Sequence, residues 1–193
     1  MTAFFTRCCR SLSCLAALLA PWLGAGLAPP AHADGIQVRR AALISAEDGY
    51  VLEADFEVTL THTLEEALNK GVPLHFTLEF ELIRPRWYWL NETLANARQQ
   101  YRLSYNALTR QYRVGVRTLY RNFASLPEAL EFMSRVRVRE IAEAGALTRG
   151  GSYRAALRLR LDSTQLPRAF QVSAVGSRDW IISSDWHRWT VSP

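Results

Sequence analysis

Cysteine, lysine and recognisable catalytic motifs are what this chain lacks. Its three cysteines are Cys8, Cys9 and Cys14, all within an N-terminal stretch that reads as an export signal. A domain that starts after that stretch has no thiol nucleophile, no disulfide and no cysteine metal ligand. Its stability then rests on core burial, and a chain of about 160 residues covers roughly two-thirds of its surface on folding. Lys70 is the one lysine among 23 basic residues. The positive charge is therefore carried by arginine, whose planar fork suits fixed, bidentate or stacked contacts. His62, His75 and His187 show no paired metal spacing such as H-x-x-x-H. There is no G-x-S-x-G, no phosphate-cradling glycine loop and no nucleotide fingerprint. Paired carboxylates stand two residues apart on strand faces, which is ordinary surface patterning. No metal, cofactor or catalytic residue is expected, and the chain reads as a non-enzyme. The competing reading is an envelope enzyme whose site carries no recognised motif.

Long hydrophobic runs are also lacking. The uncharged stretch from Leu12 to Leu27 is broken by Pro21, Gly24 and Gly26 and is short for a bilayer span. Arg7 and Arg10 precede it and Ala31-His32-Ala33 follows it, so it has the basic head, apolar run and A-x-A site of a secretory signal. Residues 1–33 are expected to be a signal peptide and 34–193 a single domain, placed in the periplasm. An uncleaved N-terminal anchor is the alternative. Lipidation at Cys14 fits less well, because that cysteine opens the apolar run instead of ending it. Cleavage takes Arg7 and Arg10 from the 23 basic residues and nothing from the 18 acidic ones, so the domain stays net positive. For an exported basic protein the expected partners are an envelope or membrane protein with an acidic patch, anionic lipid or a cell-wall polymer, not nucleic acid. An ordinary solvated basic surface is the alternative.

What is present is β-type alternation. In Val72–Leu82 the residues Val72, Leu74, Phe76, Leu78, Phe80 and Leu82 fall on one parity, with His75, Thr77, Glu79 and Glu81 on the other. That predicts a long strand with a buried and a wet face. Ile36–Ile44 and Tyr50–Leu60 predict a hairpin around Asp48-Gly49. Tyr101–Val116 predicts a second hairpin, and Tyr153–Asp162 a further strand. Asn91–Gln100 reads either as a helical turn capped by Asn91 or as a loop leading into a strand. Val172, Ile181 and Ile182 are candidates to continue the sheet. Two short helices carry S/T-x-x-E capping boxes, Thr63–Glu66 and Ser125–Glu128, with Gly71 ending the first and Pro127 in the first turn of the second. Their likeness raises an internal duplication. Outward Glu53, Asp55, Glu57, Glu79 and Glu81 are expected to face Arg154, Arg158 and Arg160. The fold expected is mainly β, an antiparallel, immunoglobulin-like β-sandwich with two short crossover helices.

Two aromatic and cationic blocks stand out. One is Arg84-Pro85-Arg86-Trp87-Tyr88-Trp89. The other runs from Trp180 through Trp186 and Arg188 to Trp189. Arginine beside tryptophan forms cation–π pairs, and exposed Trp and Tyr are typical of contact hot spots. Arg84, Arg86, Trp87, Tyr88, Trp89, Trp186, Arg188 and Trp189 are the candidate binding residues. The competing reading is that these rings close the ends of the core. Self-association through the same patch is a third.

The stretches FELIRPRWYW, Phe80–Trp89, and YRLSYNALTRQYR, Tyr101–Arg113, resemble an exported Gram-negative family, the domain of unknown function numbered 4390. Ser183-Ser184-Asp185-Trp186 is similar to its C-terminal pattern. The resemblance covers nearly all of the mature chain. It implies export and, beside a membrane sensor kinase, an accessory signalling role. It implies no activity, cofactor or catalytic residue. The label "proline-rich signal peptide protein" given to some members fits poorly here, with eight prolines.

Overall fold

A computed structural model describes residues 35–193, apart from Trp87, Trp89, Ala144 and residues 172–176 and the side chains of Glu140 and Arg178. The expected signal peptide, 1–33, and Val172 lie outside the described residues. The alternating stretches form strands. β1 (Gly35–Ala46) and β2 (Gly49–Thr59) are the expected hairpin, followed by α1 (His62–Asn69) and the long strand β3 (Leu74–Arg84). Then come β4 (Glu92–Asn106), β5 (Gln111–Val116), β6 (Leu119–Phe123), α2 (Leu126–Ser134), β7 (Arg135–Ala142), β8 (Tyr153–Leu161) and β9 (His187–Val191). Two antiparallel sheets result. One has the order β1-β2-β7 and the other β6-β5-β4-β3-β8-β9.

Both sheets bury their apolar rows in one core. Leu52, Phe56 and Val136 come from the small sheet and Phe76, Leu78, Phe80, Leu103 and Leu157 from the large one. The arrangement is the sandwich-like, mainly β fold that the alternation implies. Both helices are crossovers. α1 carries the chain from the small sheet to the large one, and α2 carries it back. Opposite senses of crossing mean that the likeness of their sequences does not extend to a repeated topology.

Several expectations are corrected. α1 is capped by Thr61, not Thr63. The Thr61 Oγ1 accepts from the Leu64 amide at 3.3 Å and donates to the Asp179 carbonyl at 2.7 Å. The second bond is tertiary, and it favours Thr61 although only Thr63 has the capping-box spacing. Thr61→Ala should therefore lower stability by about 1–2 kcal/mol, the upper range for a lost cap, read as a shift in the urea midpoint at constant slope. The other end is as expected. Gly71 has φ +89°, and the amides of Gly71 and Val72 donate to Leu68 at 2.9 Å and to Ala67 at 3.0 Å, closing the helix as a Schellman motif. α2 is capped by Ser125, which accepts from the Glu128 amide at 3.4 Å.

Residues 92–100 are neither a helical turn nor a loop but the first part of β4, paired with β3 from Glu92↔Arg84 to Leu103↔Leu74. A register shift at Leu82/Ile83 breaks the parity along this segment and hides its strand period. The C-terminal strand is β9, pairing with β8 through Ala155↔Trp189. Ile181 and Ile182 precede it, and the Ile182 carbonyl accepts from the Leu161 amide at 2.9 Å beside an isolated bridge, Arg160↔Ser183, so Ile182 extends the pairing of β8 as expected. The expected wet face of β3 is also only partly wet, since Thr77 and Glu79 are buried.

Candidate functional site

The outer face of the large sheet is a field of arginine. Register sets it up. On β3 the outward residues are His75, Thr77, Glu79 and Glu81, opposite Arg102, Gln100, Arg98 and Asn96 of β4. On the other flank Thr77 faces Arg160 and Glu79 faces Arg158 of β8, while Arg188 of β9 pairs with Ala156. Only Glu79 and Glu81 supply carboxylates to these rows.

Glu79 is the centre. Its Oε1 accepts from Arg98 Nη2 at 2.9 Å and Arg160 Nη2 at 3.2 Å, and its Oε2 from Arg158 Nε at 3.1 Å and also from Arg158 Nη2. The Arg158 guanidinium in turn lies 4.5 Å from the Trp186 ring centroid. Burial pushes the Glu79 carboxyl up, but hydrogen bonds from Arg158 and Arg160 and their charges outweigh it and hold the group below the usual carboxylate range. Further guanidinium donors stand around this clamp. Among the described residues no carboxylate pairs with Arg102, Arg154 or Arg188. The Thr77 hydroxyl is buried with no hydrogen-bond partner among the described residues, and nothing in the structure accounts for it.

Beside the clamp a groove of about 440 Å³ is lined by His75, Arg98, Gln100, Arg102, Arg117 and Tyr120. Gly115, opposite Arg102, makes room for it, since a Cβ there would meet the Tyr120 ring at 2.8 Å. Burial, aided by Arg102 and opposed by Asp162, lowers the His75 pKa, so at neutral pH its imidazole is uncharged. The groove presents planar donors suited to carboxylate or phosphate oxygens. Among the described residues no group of three or more His, Cys, Asp or Glu could hold a metal, and no described helix is long and apolar enough to cross a membrane.

The described residues of the two expected blocks have different surroundings. Arg84, at the end of β3, reaches Glu92 at 3.3 Å and the Tyr153 hydroxyl at 3.3 Å, and Arg86 reaches Glu92 at 2.6 Å. The Thr148 amide, at 2.8 Å, and then Arg84 hold the Tyr153 phenol below its usual pKa. Tyr88 is exposed. Trp87 and Trp89 lie outside the described residues. Trp189 turns to the inner side, 6.2 Å from the Phe80 ring and 5.5 Å from His187, while its neighbour Arg188 is exposed on the outer face. Trp180 is buried in the core. Arg98, Arg102, Arg158 and Arg160 are the residues that sequence spacing left out of the candidate set. The signal was there in the alternation of β8, but the first part of β4, which flanks β3 on its other side, was not legible as a strand.

The family model described as Domain of unknown function (DUF4390) matches residues 33–190 of the chain. Neither a curated protein nor a solved structure matches it.

Proposed function

Because the chain belongs to the DUF4390 family, whose description carries no activity, we propose a function from geometry: an exported, periplasmic binding or adaptor module that holds an acidic partner on the outer face of its large sheet. In this reading the chain binds and does not catalyse. The partner is an acidic segment of an envelope or membrane protein, such as a membrane-bound signalling protein. The observation that carries the reading is the Glu79 clamp flanked by Arg102, Arg154 and Arg188. One carboxylate orders three guanidiniums, and the flanking arginines have no carboxylate of their own. Preorganised arginine loses less side-chain freedom on binding and steers an anionic partner from a distance. The net positive charge supports the same reading, and export is part of the proposal, resting on the signal-like pattern of residues 1–33.

The test is crosslinking in envelope extracts with the wild type and with Arg102→Glu/Arg154→Glu/Arg188→Glu. All three side chains are exposed, so the variant should fold. The expected result is a protein crosslink present with wild type, absent with the variant and weakened by salt. Equal crosslinking by both proteins would remove the arginine face from the reading. Capture by phosphatidylglycerol vesicles without any protein crosslink would make the partner a lipid surface.

A further inference from the structure

The opposite side of the large sheet holds a second, chemically different recess. Near the edge strand β6 the two layers do not close, and α2 bridges them. The opening there has a volume of about 480 Å³, within the roughly 300–1,000 Å³ typical of small-ligand sites. Its floor is Val114 and Val116, and Phe132 and Leu119 form its walls. Leu119 is 76% exposed. The inner end is polar but uncharged. The Tyr101 hydroxyl accepts from Gln99 Nε2 at 2.8 Å, and burial pushes its pKa up to about 12.

The mouth is cationic. Arg121, Arg135 and Arg137 stand around it. Arg135 is held by Glu131 at 2.6 Å and Arg137 by Glu53 at 3.2 Å. Among the described residues Arg121 has no carboxylate, and its guanidinium lies 5.2 Å from the Phe132 ring centroid. An oily interior with an unneutralised arginine at its entrance matches one ligand chemistry. An aliphatic chain would lie on Val114, Val116 and Phe132, and a terminal anion would stay at the mouth against Arg121, as snorkelling of charge to a water boundary requires.

We propose that this recess binds a single-chain anionic amphiphile, with a long-chain carboxylate as the simplest member. The recess shares Gln99, Tyr101 and Tyr120 with the outer groove, but its apolar lining and its cations are its own: Val114 and Val116 alternate with Gly115 along β5, and Arg102 lines only the groove.

The experiment is calorimetric titration of the full chain with dodecanoate below its micelle concentration, with dodecyl maltoside as a neutral control. Saturable one-to-one binding of dodecanoate, and much weaker binding of the maltoside, is expected. Arg121→Glu should weaken it about tenfold or more, the loss of a charge-assisted contact replaced by repulsion. Val116→Trp should abolish it by filling the recess. If Val116→Trp does not fold, Leu119→Asp serves, because an exposed side chain can change without disturbing the core. Arg102→Glu should leave the affinity unchanged, which separates this site from the outer face. No saturable heat, equal affinity for the maltoside, or a loss caused by Arg102→Glu and not by Arg121→Glu would each overturn the proposal.

Discussion

Glu79→Ala should cost about 2–4 kcal/mol of stability at neutral pH, more than any other single change on the outer face. Removing one partner of a buried ionic cluster typically costs about 3–5 kcal/mol, because the other charges stay behind. Here Arg158 and Arg160 keep 29% and 32% of their side-chain exposure, so water screens part of the loss and the expected value is lower. Glu79→Gln should fall between, since it keeps one acceptor oxygen but not the charge. The sign of the pH dependence follows from the carboxyl being held below its ordinary pKa. A depressed acid stabilises the fold wherever the unfolded chain is already ionised, and the contribution disappears as pH falls through the folded value. The gap between wild type and Glu79→Gln in urea titrations should therefore be full at neutrality and should shrink below about pH 4, the unperturbed carboxylate range. A Glu79→Gln protein with the wild-type midpoint at pH 7 would show that the clamp contributes nothing to stability.

Phe80→Ala should be costlier still, about 3–5 kcal/mol, the range for emptying a fully buried aromatic site. Phe80 is 1% exposed and lies between Ala97 of β4 and Leu157 of β8 in the register. It also supports Trp189, whose ring is 6.2 Å away. Trp189→Ala should cost less, about 2 kcal/mol, because that ring is only partly covered. The double variant should show a coupling of about 0.5–1.5 kcal/mol, the usual worth of an aromatic pair beyond its area. Arg188→Ala, one residue away and facing outward, should stay within about 0.5 kcal/mol of wild type. This set decides what Trp189 does. Additive losses with no coupling would return its indole to the group of candidate contact residues.

Comparing Arg188 with Trp189 shows where sequence reading stops. Both belong to one cationic and aromatic block, and one-residue alternation sends them to opposite sides of β9. Composition marks such a block but does not say which side faces the core until the neighbouring strand is known. β4 carries the same lesson. Its outward Arg98, Gln100 and Arg102 complete the arginine field, yet the register shift opposite Leu82/Ile83 disturbs the period that would have announced a strand. Spacing marks Thr63, three residues before Glu66, as the cap of α1, and the Asp179 carbonyl, 118 residues from Thr61, favours Thr61 instead.

The amino-acid order by itself determined the mainly β character, the extents of β2, β3 and β8, the presence of two capped helices and a domain without cysteine. These rest on local periodicity and capping chemistry, which need no distant partner. Only the tertiary structure decided that Glu79 is the shared counter-ion of Arg98, Arg158 and Arg160, that Tyr120 folds over Gly115 beside a groove, and that the layers part near β6. Each of these depends on which strands lie side by side, and that pairing is set by the packing of the whole core, not by any stretch of the chain alone.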